Sequence, residues 1–276
     1  MRIPAVILIA TSLFALSACK KDGADGKAEA TASAPPTGLL GTAAVKATAK
    51  AAIAALPQPD ANKSLSDYPE LDSGNQVMFL YIAASKLPPD YEKLAASYSS
   101  EYRSTSDSFR KNDLLQAIKP QLDQKLALAA ANPYGWMDID DAKLGAYDFA
   151  RKGFPVGEFD DGRYRYFYDN SDYKIGWINP GQVAFAPVPD EALARKIESM
   201  RSGYSNQPKL KVYFFAQSAD LDGQKVGVLV TRVQITDKSG RVLVEYGPDG
   251  TVPVETEAEA EQECMDPAAC AAAAAG

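Results

Sequence analysis

The hydrophobic pattern of this 276-residue chain changes at Asn132-Pro133. Between residues 64 and 132, apolar residues recur at the three- and four-residue spacing of helices. After Pro133, short aromatic and β-branched runs alternate with Asp-Gly and Ser-Gly pairs, a pattern typical of hairpins. A helical layer followed by a mostly antiparallel sheet is an α+β arrangement. We therefore expect one α+β domain over residues 64–250, helical up to residue 132 and β-rich from residue 133.

Capping residues predict where individual helices begin and end. Ser73, with Gln76 three residues later, has the pattern of a capping box. Asp190 precedes a stretch whose apolar residues fall on one helical face, which predicts one helix inserted among the strands. Pro120 has no backbone donor, so we expect a kink or a new helix there. Asn132-Pro133 predicts the end of the helical part.

Six runs after Pro133 have the composition of strands. Turn residues separate several of them, because the glycines of Asp161-Gly162, Asp222-Gly223 and Ser239-Gly240 adopt positive φ without steric cost. The predicted strands cover residues 144–151, 163–168, 173–178, 209–218, 225–236 and 241–246.

The first 18 residues have the composition of an export signal. Arg2 supplies a positive charge, and a mostly apolar stretch covers residues 3–16. A transmembrane helix needs about 20 apolar residues, so this stretch is too short to remain as a membrane span. It ends in Leu16-Ser17-Ala18-Cys19, which resembles the lipobox of bacterial lipoproteins, a leucine and two small residues before a cysteine.

The lipobox resemblance implies cleavage before Cys19 and a diacylglyceryl group on its thiol. In that family the new N-terminus is also acylated, for example with palmitate, and two or more acyl chains anchor a protein stably. Lys20 follows the cysteine, which in this family implies sorting to the outer membrane of a Gram-negative cell. We therefore expect a lipid-anchored protein of the cell envelope that faces the periplasm.

Two segments that flank the predicted domain have compositions that do not form a core. Residues 19–63 contain no aromatic side chain and are expected to form a flexible tether. Residues 251–276 combine alternating glutamates with alanines and are expected to be a disordered tail. The tail holds Cys264 and Cys270, which in an oxidising compartment can pair with each other, stay reduced or bond to a partner chain.

Composition excludes several classes of function. The sequence has no histidine, so it has no imidazole base, no Ser-His or Cys-His nucleophile and no His-ligated zinc site. The formal net charge is −7, and the tail contributes −6 of it through five glutamates and Asp266. The near-neutral remainder offers no basic surface for phosphates, which disfavours nucleic-acid binding. We expect no cofactor and no metal.

Acidic clusters are the strongest candidates for catalysis. Asp138, Asp140 and Asp141 stand near Trp136, and paired carboxylates beside aromatic rings are what a glycosidase needs. A second cluster consists of Glu158, Asp160 and Asp161. Acidic residues before hairpins are more often solvent-exposed turn formers, and we favour that interpretation. The Ser171-x-x-Lys174 spacing of penicillin-recognising enzymes is attributed to chance, since it falls in a predicted strand connection and lacks a Lys-Thr-Gly partner.

The run 163–168 alternates in side-chain type. A strand there places Tyr164, Tyr166 and Tyr168 on one face of the sheet and Arg163, Arg165 and Phe167 on the other. With Trp136 and Trp177, the tyrosines are a candidate binding surface for glycan or protein, because tyrosine and tryptophan anchor interfaces well. Ordinary sheet packing against the helical layer is the alternative that we favour.

The sequence thus predicts a non-enzymatic envelope protein that binds a protein or a cell-wall component. An inhibitor of a cell-wall lytic enzyme is a narrower form of this hypothesis. The alternative is a carboxylate-dependent hydrolase of envelope glycans, which needs two acids that converge in a cleft.

Overall fold

The structure, a computed structural model, describes residues 56–140, 142–203 and 207–252, the last two by their backbone only. The predicted signal peptide at residues 1–18, Cys19, Cys264, Cys270 and most of the predicted tether and tail lie outside the described residues. The α+β class is confirmed, because the helices lie mostly before a curled mixed sheet.

The described part of the chain has six α-helices, and predicted caps begin two of them. The Ser73 hydroxyl accepts from the Gln76 amide, and the Gln76 side chain accepts from the Ser73 amide at 3.0 Å. The Asp190 carboxylate accepts from the Leu193 amide at 2.8 Å. The helices are α1 (Gly74–Ser85), α2 (Tyr91–Tyr98), α3 (Ser100–Ser104), α4 (Ser108–Ala131), α5 (Pro180–Val183) and α6 (Glu191–Ser202).

In the described ranges, nine strands follow the first four helices. They are β1 (Tyr134–Ile139), β2 (Gly153–Pro155), β3 (Tyr164–Arg165), β4 (Lys174–Trp177), β5 (Phe185–Pro187), β6 (Lys209–Asp220), β7 (Lys225–Thr236), β8 (Val242–Gly247) and β9 (Gly250–Val252). Short 3-10 turns cover Leu65–Asp67, Gly157–Phe159 and Tyr168–Asn170.

One sheet contains seven of these strands in the order β1-β6-β7-β4-β3, with β8 and β9 joined to β7. All pairs in it are antiparallel except β4 with β7. Strands β4 and β8 both pair with the same edge of β7, β4 with residues 225–228 and β8 with residues 233–236. Strands β2 and β5 form a separate pair.

The core lies between the sheet and helix α1, which contacts α4, β6 and β7. Val77 and Met78 of α1 are fully buried, as are Val212 and Phe214 of β6. Burial of such side chains stabilises the fold by about 1.5–3 kcal/mol each. The Tyr246 ring is also buried, and its hydroxyl donates to the Val183 carbonyl at 3.1 Å.

Helix α4 runs through Pro120, so no new helix begins there. Proline removes the hydrogen bond to the carbonyl of Gln116, and both residues are exposed. Water can reach that carbonyl, which reduces the cost of continuing the helix.

Several predicted strands also need correction. Residues 144–151 form isolated bridges and turns rather than a strand, and 163–168 shortens to the two residues of β3. Strands β1, β2 and β5 were not predicted, and α5 is a second inserted helix. In the turn between β6 and β7, positive φ falls on Gln224 instead of Gly223.

Contacts with the body extend beyond the predicted boundaries at both ends. The side-chain amide of Gln217 donates to the Pro57 carbonyl at 2.8 Å. The backbone amide of Asp60 donates to the Tyr134 hydroxyl at 2.7 Å. Residues 56–63, which the sequence assigns to the tether, therefore pack on the sheet. At the other end, residues 251 and 252 pair with β8 as part of β9.

Candidate binding surface at the sheet edge

Three exposed tyrosines mark the end of the sheet formed by β3. Tyr164 is 49% exposed, Tyr166 44% and Tyr168 92%. We call these three residues the tyrosine strip. β3 is an edge strand that pairs only with β4 among the described strands, through Tyr164 with Gly176 and Arg165 with Ile175. The expectation of ordinary sheet packing is therefore wrong for these side chains.

The rings of the tyrosine strip contact one another. The centroids of Tyr164 and Tyr166 are 6.4 Å apart with planes at 37°, and those of Tyr166 and Tyr168 are 5.7 Å apart at 78°. Ring pairs at such distances attract each other, so each ring restricts the motion of the next. The strip is thus a preorganised aromatic surface whose rings are tilted against one another.

A buried ion pair fixes the opposite face of β3. The Arg165 guanidinium donates from Nε to Oε1 of Glu158 at 2.7 Å and also binds Oε2. Glu158 is 2% exposed, and Phe167 packs against the hydrophobic core. The alternation predicted for this run is present in part: Arg165 and Phe167 point inward and the tyrosines are exposed, but Arg163, predicted on the inner face, is exposed as well. Glu158 is an exception to the expectation that acids in this region lie in solvent.

The end of the tyrosine strip is attached to helix α1. Asp169, directly after Tyr168, accepts from the Gly74 amide at 2.8 Å, and Asn170 donates to the Asn75 side chain at 3.1 Å. A Cβ on Gly74 would lie 2.5 Å from the Asn170 carbonyl oxygen, so the close approach requires glycine. The helix thereby positions the turn that carries Tyr168.

Cations border the tyrosine strip on the Tyr164 side. The Lys174 ammonium lies 5.4 Å from the Tyr164 ring centroid, within the range of a cation–π contact. Arg163 lies 3.9 Å from the Asp160 carboxylate. Both groups are partly exposed and can contact a bound partner.

The two tryptophans do not extend the tyrosine strip. Trp136 lies on β1, at the opposite edge of the sheet, where Lys211 Nζ lies 3.9 Å from its ring centroid. Residues 69–71 cover that edge, since the Leu71 amide donates to the Trp136 carbonyl and the Trp136 amide to the Pro69 carbonyl. Trp177 packs edge-on to Phe159, with centroids 5.3 Å apart. The single platform predicted from all five aromatic residues is therefore not formed.

The described acids of the two clusters are exposed or paired with basic side chains. Asp138 is exposed, and Asp140 pairs with Lys209 at 2.8 Å, while Asp141 lies outside the described residues. The Glu158 carboxylate forms an ion pair with Arg165. Among the described residues no group of three or more acids or cysteines is arranged to hold a metal ion. Ser171 lies in the connection before β4, and Lys174 is the first residue of β4. Neither residue is at the start of a helix.

A cavity of about 310 Å³ lies beside β7 and was not predicted. It is lined by residues from separate segments, among them Asp60, Tyr68, Asn179, Arg232 and Asp249. Burial raises the pKa of Tyr68, whose hydroxyl is 3.2 Å from Thr231 Oγ1. No local pattern identifies such a site, because only the fold brings these segments together.

The chain matches no protein-family model, no curated protein and no solved structure. None of the helices within the described ranges is long and apolar enough to cross a membrane.

Proposed function

We propose that this chain is a lipid-anchored protein of the bacterial envelope that binds another protein through the tyrosine strip. The anchor is supported by Leu16-Ser17-Ala18-Cys19, which resembles a lipobox. The binding role is supported above all by one observation, the exposure of three contacting tyrosines, of which Tyr164 lies on the edge strand β3 and the other two directly follow it. Exposed clusters of large aromatic side chains mark interaction surfaces.

The ring geometry favours a protein partner over a glycan chain. A polysaccharide that stacks on several rings needs them nearly coplanar, whereas Tyr166 and Tyr168 stand at 78°. A protein surface can fill the angles between tilted rings and can pair with their hydroxyl groups. An edge strand also allows a partner to add main-chain hydrogen bonds. A cell-wall lytic enzyme inhibited by this chain would be one partner of this kind.

A carboxylate-dependent hydrolase of envelope glycans is less well supported. The buried carboxylate of Glu158 is held by both ends of the Arg165 guanidinium, so it is not free to act as an acid or nucleophile. Asp160, from the same cluster, lies on the surface near Arg163. This cluster therefore does not offer two free carboxylates, which the reaction needs.

Site-specific photo-crosslinking in the native envelope tests the binding surface. A benzophenone side chain replaces Tyr166 or Tyr168 in turn, and the control replaces Phe109, an aromatic residue on helix α4 that is 85% exposed. We expect a discrete protein adduct from both strip positions and not from Phe109. Adducts of equal yield at all three positions, or retention of the purified chain on isolated cell-wall glycan through Tyr166 and Tyr168, would contradict the proposal.

Processing and fractionation test the anchor. We expect Cys19→Ser to leave the chain unprocessed or unlipidated, because lipid attachment and cleavage both depend on that thiol. Globomycin, which blocks the lipoprotein signal peptidase, should cause the precursor of the unaltered chain to accumulate. Release of the unaltered chain into buffer without detergent would rule out a lipid anchor.

A further inference from the structure

The cavity beside β7 is lined by charged side chains that do not pair with one another. Two cations, Lys63 and Arg232, and two acids, Asp60 and Asp249, belong to its lining. Within the described residues, no ion pair joins either cation to either acid. Charged groups that do not neutralise each other remain available to a ligand. We call this site the mixed-charge cavity.

A β-bulge brings two polar side chains of β7 to the same face of the sheet. The register with β6 shifts at Thr231, which has no partner on that strand, while Arg232 lies opposite Tyr213. Tyr68 packs edge-on to Tyr213 with ring centroids 5.5 Å apart, and its hydroxyl lies 3.2 Å from Thr231 Oγ1. Neighbouring residues of a regular strand point to opposite faces, so the bulge is what places both side chains on the face that Tyr68 covers. Bulges often reorient a side chain in this way beside an active site.

The Arg232 guanidinium has unused donors. Its Nε lies 3.6 Å from Glu245 Oε1, and the side chain forms no hydrogen bond to any described residue. The other oxygen of Glu245 accepts from the Gln234 side-chain amide at 2.6 Å. The Arg232 side chain is 31% exposed, so a ligand can reach it. A guanidinium binds a carboxylate through two parallel hydrogen bonds, which makes a carboxylate the natural partner of its Nη groups.

Asp60 supplies the opposite charge to the mixed-charge cavity. It is exposed, and its Oδ1 accepts from the Asn62 backbone amide at 2.9 Å, which orients the carboxylate. Burial raises the pKa of Tyr68, the charge of Arg232 lowers it and that of Asp60 raises it. Both charged groups therefore lie within electrostatic range of the Tyr68 hydroxyl.

We propose that the mixed-charge cavity binds a small zwitterion, an amino acid or a short peptide, whose carboxylate binds Arg232 and whose ammonium group binds Asp60. The volume of about 310 Å³ equals the share of about ten water molecules in the liquid, which is room for a molecule of that size. A multiply charged anion is disfavoured, because Asp60 and Asp249 would repel it. The site shares no residue with the tyrosine strip and is independent of the function proposed for the strip.

Saturation-transfer NMR with the dipeptide alanylalanine tests the proposal on the full chain, held in phospholipid nanodiscs if it carries lipid. We expect alanylalanine to bind at least about tenfold more tightly than two derivatives, because each lacks one charge-assisted contact. N-acetylalanylalanine lacks the ammonium group, and alanylalaninamide lacks the carboxylate. Asp60→Asn should remove the preference over the acetylated dipeptide, and Arg232→Gln the preference over the amide. Asp222→Asn, at an exposed acid between β6 and β7, is the control and should change neither preference.

Two results would overturn the proposal. Equal binding of the three dipeptides to the unaltered chain, or no binding of any, would mean that the cavity does not recognise a zwitterion. Preferences that survive both Asp60→Asn and Arg232→Gln would place the dipeptide elsewhere on the chain. If Arg232→Gln melts at a lower temperature than the unaltered chain, Lys63→Gln provides a second test, since it also removes a positive charge from the lining and should weaken the preference over the amide.

Discussion

The side chain of Asn179 pairs with both backbone groups of Val230. The Val230 amide donates to Asn179 Oδ1 at 2.8 Å, and Asn179 Nδ2 donates to the Val230 carbonyl at 3.0 Å. Val230 lies on β7 between the stretch paired with β4 and the stretch paired with β8. A side-chain amide thus replaces a strand over the gap between them, and buried backbone groups that would lack partners are satisfied.

Asn179→Ala should destabilise the fold, because it leaves the amide and carbonyl of Val230 without partners. We expect a loss of about 1–3 kcal/mol in the free energy of unfolding, measured by urea denaturation. Asn62→Ala, at an exposed asparagine, is the control and should cost less than about 0.5 kcal/mol. Equal effects of the two substitutions would mean that the pairing with Val230 contributes nothing.

Glu158→Gln should destabilise the fold, because it removes the carboxylate that the Arg165 guanidinium binds. Breaking a buried ion pair from one side costs about 3–5 kcal/mol. Glutamine retains one acceptor oxygen, so we expect the lower end of that range in chemical denaturation. The double variant Glu158→Leu/Arg165→Met should recover most of the stability, because it removes both members of the pair together. If the double variant were as unstable as Glu158→Gln, the loss would come from packing rather than from the broken ion pair.

Tyr166→Ala combined with Tyr168→Ala should leave the body folded. Surface substitutions typically change the free energy of unfolding by less than about 0.5 kcal/mol each, so the melting temperature should fall by at most a few degrees. Phe154→Ala is the contrasting variant, because Phe154 is fully buried and its truncation should cost about 3–5 kcal/mol. A large loss of stability in the tyrosine variant would show that these rings support the sheet rather than present a surface.

Asp237 should contribute to the stability of the turn before β8 in a pH-dependent way. A hydrogen bond from the Ser239 hydroxyl, together with the Ser239 and Arg241 amides, lowers the pKa of Asp237 from 3.8 to about 2. Because the folded pKa is depressed, this stabilisation is present above pH 3.8 and is lost as the pH falls through about 2. The urea midpoint of Asp237→Asn should therefore lie below that of the unaltered chain at pH 6, and the difference should shrink toward pH 2. A difference independent of pH would exclude the carboxylate as its source.

Local patterns were sufficient where a local interaction decides the structure. The capping box at Ser73, the helix after Asp190 and strand β7 occur where the sequence predicts them, because caps and alternating β-branched residues act within a few positions. A new helix does not begin at Pro120, since a helix can continue through proline when the affected carbonyl is exposed.

The tyrosine strip was predicted only in part. The period of a strand separated the tyrosines from Arg165 and Phe167 in the sequence, and the structure keeps that separation although β3 covers only Tyr164 and Arg165. The ion pair of Arg165 with Glu158 and the position of β3 at the sheet edge decide which of the two faces meets solvent. Neither can be read from the run itself, because burial depends on elements distant in sequence.

Sequence by itself determined the α+β class, the lipobox resemblance and the absence of histidine chemistry, since these depend on residue type and spacing alone. Tertiary structure decided that Trp136 lies far from the tyrosine strip, that Asn179 completes the sheet beside Val230, and that residues 56–63 pack on the body. The physical reason is the same in each case. Contacts between residues many positions apart form only when strand order and helix packing bring them together, and no local preference encodes that order.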